Sequence, residues 1–184
     1  MNRTVVGVIT TTLVIFIYGF LFWEVNTLPY DALQQTSDDV AAQAMLKSHF
    51  PSSGSYYIPG RQNSETDLIK LTEQGPVGFV HIDIDGKPAF DPAVMVRGLV
   101  LNLLFVCLLA GLFKITRATA FRDFARTSLV AGAAAVLLID GGNIVWWSAP
   151  INWQIWLSIY HFTSFVIAGH LLGIFMKTKA STIG

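Results

Sequence analysis

The sequence predicts an α-helical integral membrane protein: four transmembrane helices, both termini in the cytoplasm, and a small α+β extracytoplasmic domain between helices 1 and 2. Three observations predict it. Hydrophobic residues make up 53% of the 184 and charged residues only 13%, roughly half the charge of an ordinary soluble domain. Four apolar stretches reach the about 20 residues that a helix needs to cross a bilayer core. The charges, finally, are sorted by side of the membrane. The composition argues against a disordered chain, a nucleic-acid binder and an ordinary cytosolic enzyme. A single cysteine, Cys107, excludes an intramolecular disulfide and any paired-cysteine metal site.

The four stretches cover residues 4–23, 92–113, 127–147 and 153–176. With no water in hydrocarbon to satisfy backbone groups, each must be helical. The first is too long for a signal peptide and ends in Phe22-Trp23-Glu24 without a small-residue cleavage site, so it reads as a retained anchor. The chain thus divides into residues 1–25 (helix 1), 26–91 (the outer cap), 92–176 (a three-helix unit) and 177–184 (a tail).

Orientation follows from the basic residues. Arg3, Lys114, Arg117, Arg122, Arg126, Lys177 and Lys179 flank the spans on one side, against the single acid Asp123; the segment 24–97 holds ten acids and five bases. The positive-inside rule places the first set in the cytoplasm and the cap outside. Trp23, Trp146, Trp147, Trp153 and Trp156 then all fall at the outer ends of their spans, where indole rings prefer to lie.

Within the cap, Thr36-Ser37-Asp38-Asp39 reads as a helix start, and an apolar stripe from Val40 to Leu46 predicts a helix over 37–49. Ser55 to Ile58 reads as a short strand and 60–65 as loop. Val77 to Ile84 alternates as a strand should, and Asp85-Gly86 predicts a hairpin turn with a returning strand over 87–90. His81, Asp83 and Asp85 would share one face. A solvated polar face is the preferred reading there, and no metal site is assigned. So small a core stabilises little, which predicts that the cap leans on the spans, on lipid or on a partner.

Ionisable residues inside spans are costly and draw attention. Arg97, near the outer end of its span, can extend to the headgroups. Asp140 and His161 lie about ten residues on either side of Pro150–Ile151, so they should stand at equal height on antiparallel helices and can form a hydrogen-bonded pair. Asn143 and Ser158 form a second matched level. The pair reads either as a proton relay or quinone-head site, or as polar glue between helices; glue is preferred. His170 lies on the opposite face of its helix from His161, and no other span carries a histidine, which excludes a self-contained bis-His haem. It can bind a pigment magnesium or bond a backbone carbonyl. Gly169-x-x-x-Gly173, and Gly132, Gly141 and Gly142, permit close helix approach.

No nucleophile elbow, phosphate-binding glycine loop or HExxH motif is present. Ser52 through Gly60, Gly75-Pro76, Pro92-Ala93-Val94-Met95, and Asn143 with Trp146-Trp147 together resemble a loose group of small bacterial inner-membrane proteins with one span, an outer domain, then three spans. The resemblance implies that topology, a bacterial inner membrane and a periplasmic 26–91 segment, and carries no activity with it. The expectation is a non-catalytic accessory subunit of a larger respiratory or photosynthetic membrane complex, contacting other membrane subunits and lipid or bound pigment but no nucleic acid. Two alternatives stand beside it: a small redox or proton-handling protein using Asp140 and His161, and a periplasmic sensor.

Overall fold

A computed structural model describes residues 2–178; Lys179 and the rest of the expected tail lie outside them. Among the described residues the protein is mostly helical, with four helices long and apolar enough to cross a membrane and one two-stranded sheet. The elements are α1 (Arg3–Phe20), α2 (Asp39–His49), β1 (Gly54–Ile58), α3 (Glu65–Gln74), β2 (Gly78–Ile82), α4 (Pro92–Ile115), α5 (Phe121–Trp147) and α6 (Ile151–Met176). A π-turn, Leu21–Val25, extends α1, and a short 3-10 turn, Leu28–Ala32, follows it.

The third long helix starts six residues before the expected 127. Arg122, Asp123 and Arg126 mark the apolar boundary in the sequence, but a helix does not stop where hydrocarbon does. Asp123 anchors its start by accepting the N–H groups of Ala120 (2.9 Å) and Thr119 (3.2 Å). The fourth likewise begins at Ile151, directly after Pro150, where a proline suits a helix start.

Across the bundle the order is α4, α1, α6, α5, each packing on the next, while α4 and α5 at the flanks scarcely meet. The six described flanking bases gather at one end, and residues 26–91 sit at the other. Most of the apolar core lies in the basic half: Val106, Leu109 and Phe113 of α4, Phe124 of α5, and Ala168 and Leu172 of α6 are buried there, with Ile15 of α1. Small residues bring the helices close. A Cβ on Gly7 would lie 2.7 Å from Phe175, one on Gly132 2.8 Å from Phe165, and one on Gly169 would collide with Ser128.

In the cap, the first helix begins at Asp39, not 37. Asp38 caps it by accepting the Ala41 N–H at 3.0 Å, and Thr36 bonds Asp39. The expected hairpin is corrected. Gly86 does adopt a left-handed turn (φ 72°), but 87–90 form no strand, because Pro88 has no N–H to give a ladder. β2 pairs instead with β1, antiparallel, with Tyr57 opposite Phe79 and Ser55 opposite His81. The intervening α3 was not expected; Ser64 starts it by accepting the Asp67 N–H at 3.2 Å. One face of the sheet holds the cap's small core, Phe50 against Tyr56 at 4.6 Å between ring centroids. The other lays Phe79 on Trp147 of α5 at 5.1 Å.

Candidate functional site

α5 and α6 form an antiparallel hairpin whose turn is set by Ser148 in the left-handed region (φ 54°) and by the Ala149 N–H donating to Asn143 O at 3.1 Å. Farther from that turn, glycines fix the spacing. Gly132 seats Phe165, Gly169 seats Ser128, and Gly173 seats Phe124, whose Cβ would be 3.0 Å from a Cβ there. The G-x-x-x-G pair therefore serves a helix of the same chain. With turn and spacing fixed, residues equidistant from the turn face each other.

Asp140 and His161 do so. His161 Nδ1 lies 2.9 Å from one Asp140 carboxylate oxygen and 3.2 Å from the other. Asp140 is fully buried and has no other side-chain partner among the described residues, while 40% of the His161 side chain remains exposed. Against an ionised carboxylate, which only accepts, Nδ1 donates, and a neutral ring then keeps its Nε2 lone pair free. Nε2 has no hydrogen-bond partner among the described residues.

His161 lines a cavity of about 380 Å³ bounded by all four long helices: Ile15 of α1, Leu101, Asn102 and Phe105 of α4, Ala135 and Ile139 of α5, Tyr160 and Ser164 of α6. Ser164 is already committed to Tyr160 O at 2.7 Å, leaving His161, Asn102 and the Tyr160 hydroxyl as its open polar groups. Its exposed lining residues, Leu101 of α4 and Ile139 of α5, stand on two helices that scarcely meet and mark its open side. The geometry offers one oriented imidazole nitrogen in an apolar pocket that opens sideways. It can accept a hydrogen bond from a hydroxyl, or a proton, while the carboxylate behind it balances the resulting charge.

Asn102 was missed in the sequence, although it lies ten residues into α4 and so at the height at which His161 lies ten residues into α6. The other candidates are distributed elsewhere. His170 Nδ1 donates to Val166 O of its own helix at 2.7 Å, and its ring meets Phe121 edge-on. Asn143 and Ser158 share no hydrogen bond. Nothing lies within 4 Å of a Cβ on Gly141, and only Trp146, at 3.9 Å, approaches Gly142, so these two glycines make no close helix contact. Trp23 and Trp153 pack together with Tyr30, Trp156 meets Phe22, and Trp146 is open; all five indoles are at the cap end. Arg97 bonds Asp91 at 3.1 Å. His81 Nδ1 pairs with Ser55 at 2.8 Å and Asp83 with Ser53 at 3.3 Å. Among the described residues no three His, Cys, Asp or Glu side chains converge on a metal position. No family model, curated protein or solved structure matches the chain.

Proposed function

We propose that the protein is a multi-pass protein of the bacterial inner membrane that holds the polar head of a lipid-soluble molecule, a quinone or a compound like it, at Asp140 and His161. The supporting observation is an oriented Asp–His pair at the wall of an apolar cavity whose open side lies between α4 and α5. Purely structural polar glue has no need of a free imidazole nitrogen beside an opening. Head-group hydroxyls donate to Nε2, carbonyls accept from Asn102, and the tail leaves between Leu101 and Ile139. The basic residues gathered at one end support, by the positive-inside rule, a threading with both termini and the α4–α5 loop in the cytoplasm and residues 26–91 in the periplasm.

Two experiments test this. In nanodiscs, a short-chain quinol should protect His161 from diethyl pyrocarbonate, and Asp140→Asn should abolish its binding while the yield of folded protein is unchanged. Parallel loss of both would mean glue. A cysteine placed at Arg122 in a Cys107→Ser background should react with impermeant maleimide only from the cytoplasmic side.

A second reading, an accessory subunit of a larger membrane complex, is favoured by a shallow concavity on the outer face of α5 formed by Val130, Ala131 and Ala134. Small residues there leave room for a partner helix. Isolation in mild detergent should then recover stoichiometric companions; a bare monomer would reject it.

A further inference from the structure

A second cavity, sharing no residue with the first, lies where the sheet meets the cap-end termini of α5 and α6. It encloses about 710 Å³, bounded by Tyr57 and Phe79 from the sheet, Asn143 and Trp147 from α5, and Trp153 and Gln154 from α6. That is the size of a typical small-molecule site. Gln154 is only 5% exposed, yet its amide makes no hydrogen bond to any described residue, and its Oε1 is sealed from water without a partner. Buried polar groups are nearly always paired, and leaving one unpaired costs about 1–3 kcal/mol. Because Oε1 is closed even to a water-sized probe, a partner in the cavity meets this amide through its unbonded Nε2 group.

The lining also narrows what the partner is. Among the described residues no Asp, Glu, Lys or Arg borders the cavity; its titratable groups are Tyr57 and His81, the latter with Nδ1 on Ser55 at 2.8 Å. A charged headgroup would find no counter-charge in the lining itself; the nearest described base, Arg61, lies in the adjoining concavity with Tyr57 and Trp147. The walls are largely aromatic, and the polar side chains are the Asn143 and Gln154 amides, Ser148, His81 and the Tyr57 hydroxyl, all uncharged groups that hydroxyls can pair with. Aromatic faces carry negative partial charge and attract the positive C–H face of a saturated ring, while adjacent hydroxyls match an amide's paired donor and acceptor.

We propose that this cavity binds a neutral sugar ring, stacked on Trp147 and Trp153 and hydrogen-bonded by Gln154 and Asn143. The ring can come from a glycolipid headgroup or from a free sugar.

The test uses the full chain in phosphatidylcholine nanodiscs and reads tryptophan fluorescence. The probes are monoglucosyl diacylglycerol in the bilayer, methyl β-glucoside in solution, and phosphatidylglycerol as a charged control. A saturable change with either glucosyl probe, absent with phosphatidylglycerol, is expected; which probe acts identifies the source. Gln154→Leu keeps the volume and should weaken binding about tenfold or more. It should also raise the unfolding temperature of the sugar-free protein, because the orphaned amide is gone. No response to either sugar, an equal response to phosphatidylglycerol, or an undiminished response in Gln154→Leu overturns the proposal. A lowered unfolding temperature for Gln154→Leu would likewise overturn it, by showing the amide to be a structural contact.

Discussion

In the basic half of the bundle, glycine and serine draw the helices together and bury Val106, Leu109, Phe113, Phe124 and Leu172 against one another. In the cap-end half, Gly141 and Gly142 seat no neighbouring helix, α4 and α5 stand apart, and the buried side chains include Asp140 and Gln154. Both halves come from the same four helices. Lipid is as apolar as a leucine core, so packing, not escape from water, holds spans together. The tight half holds most of the apolar packing, although Thr11, Thr12 and Ser128 are buried there too, the Thr11 hydroxyl without a partner; the two cavities and the Asp140 carboxylate are kept in the looser half. Functional sites are drawn from the less tightly held parts of a fold.

The contrast can be broken first where packing is closest. Gly169→Leu drives a side chain into Ser128 and towards Phe124 O, and should cost about 3 kcal/mol, the upper range for overpacking. Thermal unfolding in detergent would show it. Gly132→Ala, whose Cβ would sit 2.8 Å from that of Phe165, should cost about 1–2 kcal/mol by the same assay. At the polar level, Asp140→Ala leaves His161 without its acceptor and should cost about 1 kcal/mol, in line with measured interhelical hydrogen bonds. Its larger effect should be on ligand binding, measured in parallel. Gly141→Ala has no neighbour to strike and removes a flexible residue from a helix interior, so it should gain about 0.5 kcal/mol. A loss comparable to that of Gly132→Ala would show that the two halves are packed alike.

How much of this was legible in the sequence differs between membrane and cap. A span is specified by apolar length alone, and two spans joined by a short turn become antiparallel, so counting from Pro150 was enough to bring Asp140 to the height of His161. The free face of His161 and the gap between α4 and α5 were not legible, because they depend on α1 standing between α4 and α6. In the cap, local signals competed. Asp85-Gly86 promised a hairpin, but β2 had a better partner in Gly54–Ile58 across α3, a pairing no local window contains. Ser64 and Asp67 were a readable helix start that the polar surroundings of 60–65 obscured. Gln154 looked like an ordinary residue at a span edge; only the roof supplied by the sheet makes it buried and unpaired.

The cavity's open side, marked by Leu101 and Ile139, lies among the apolar stretches of α4 and α5. A molecule entering there never has to dissolve in buffer. In the proposed function, occupancy of the Asp140–His161 site is then governed by the mole fraction of that molecule among the surrounding lipids. Diluting a proteoliposome suspension would leave the site as full as before, whereas fusing in empty vesicles would drain it.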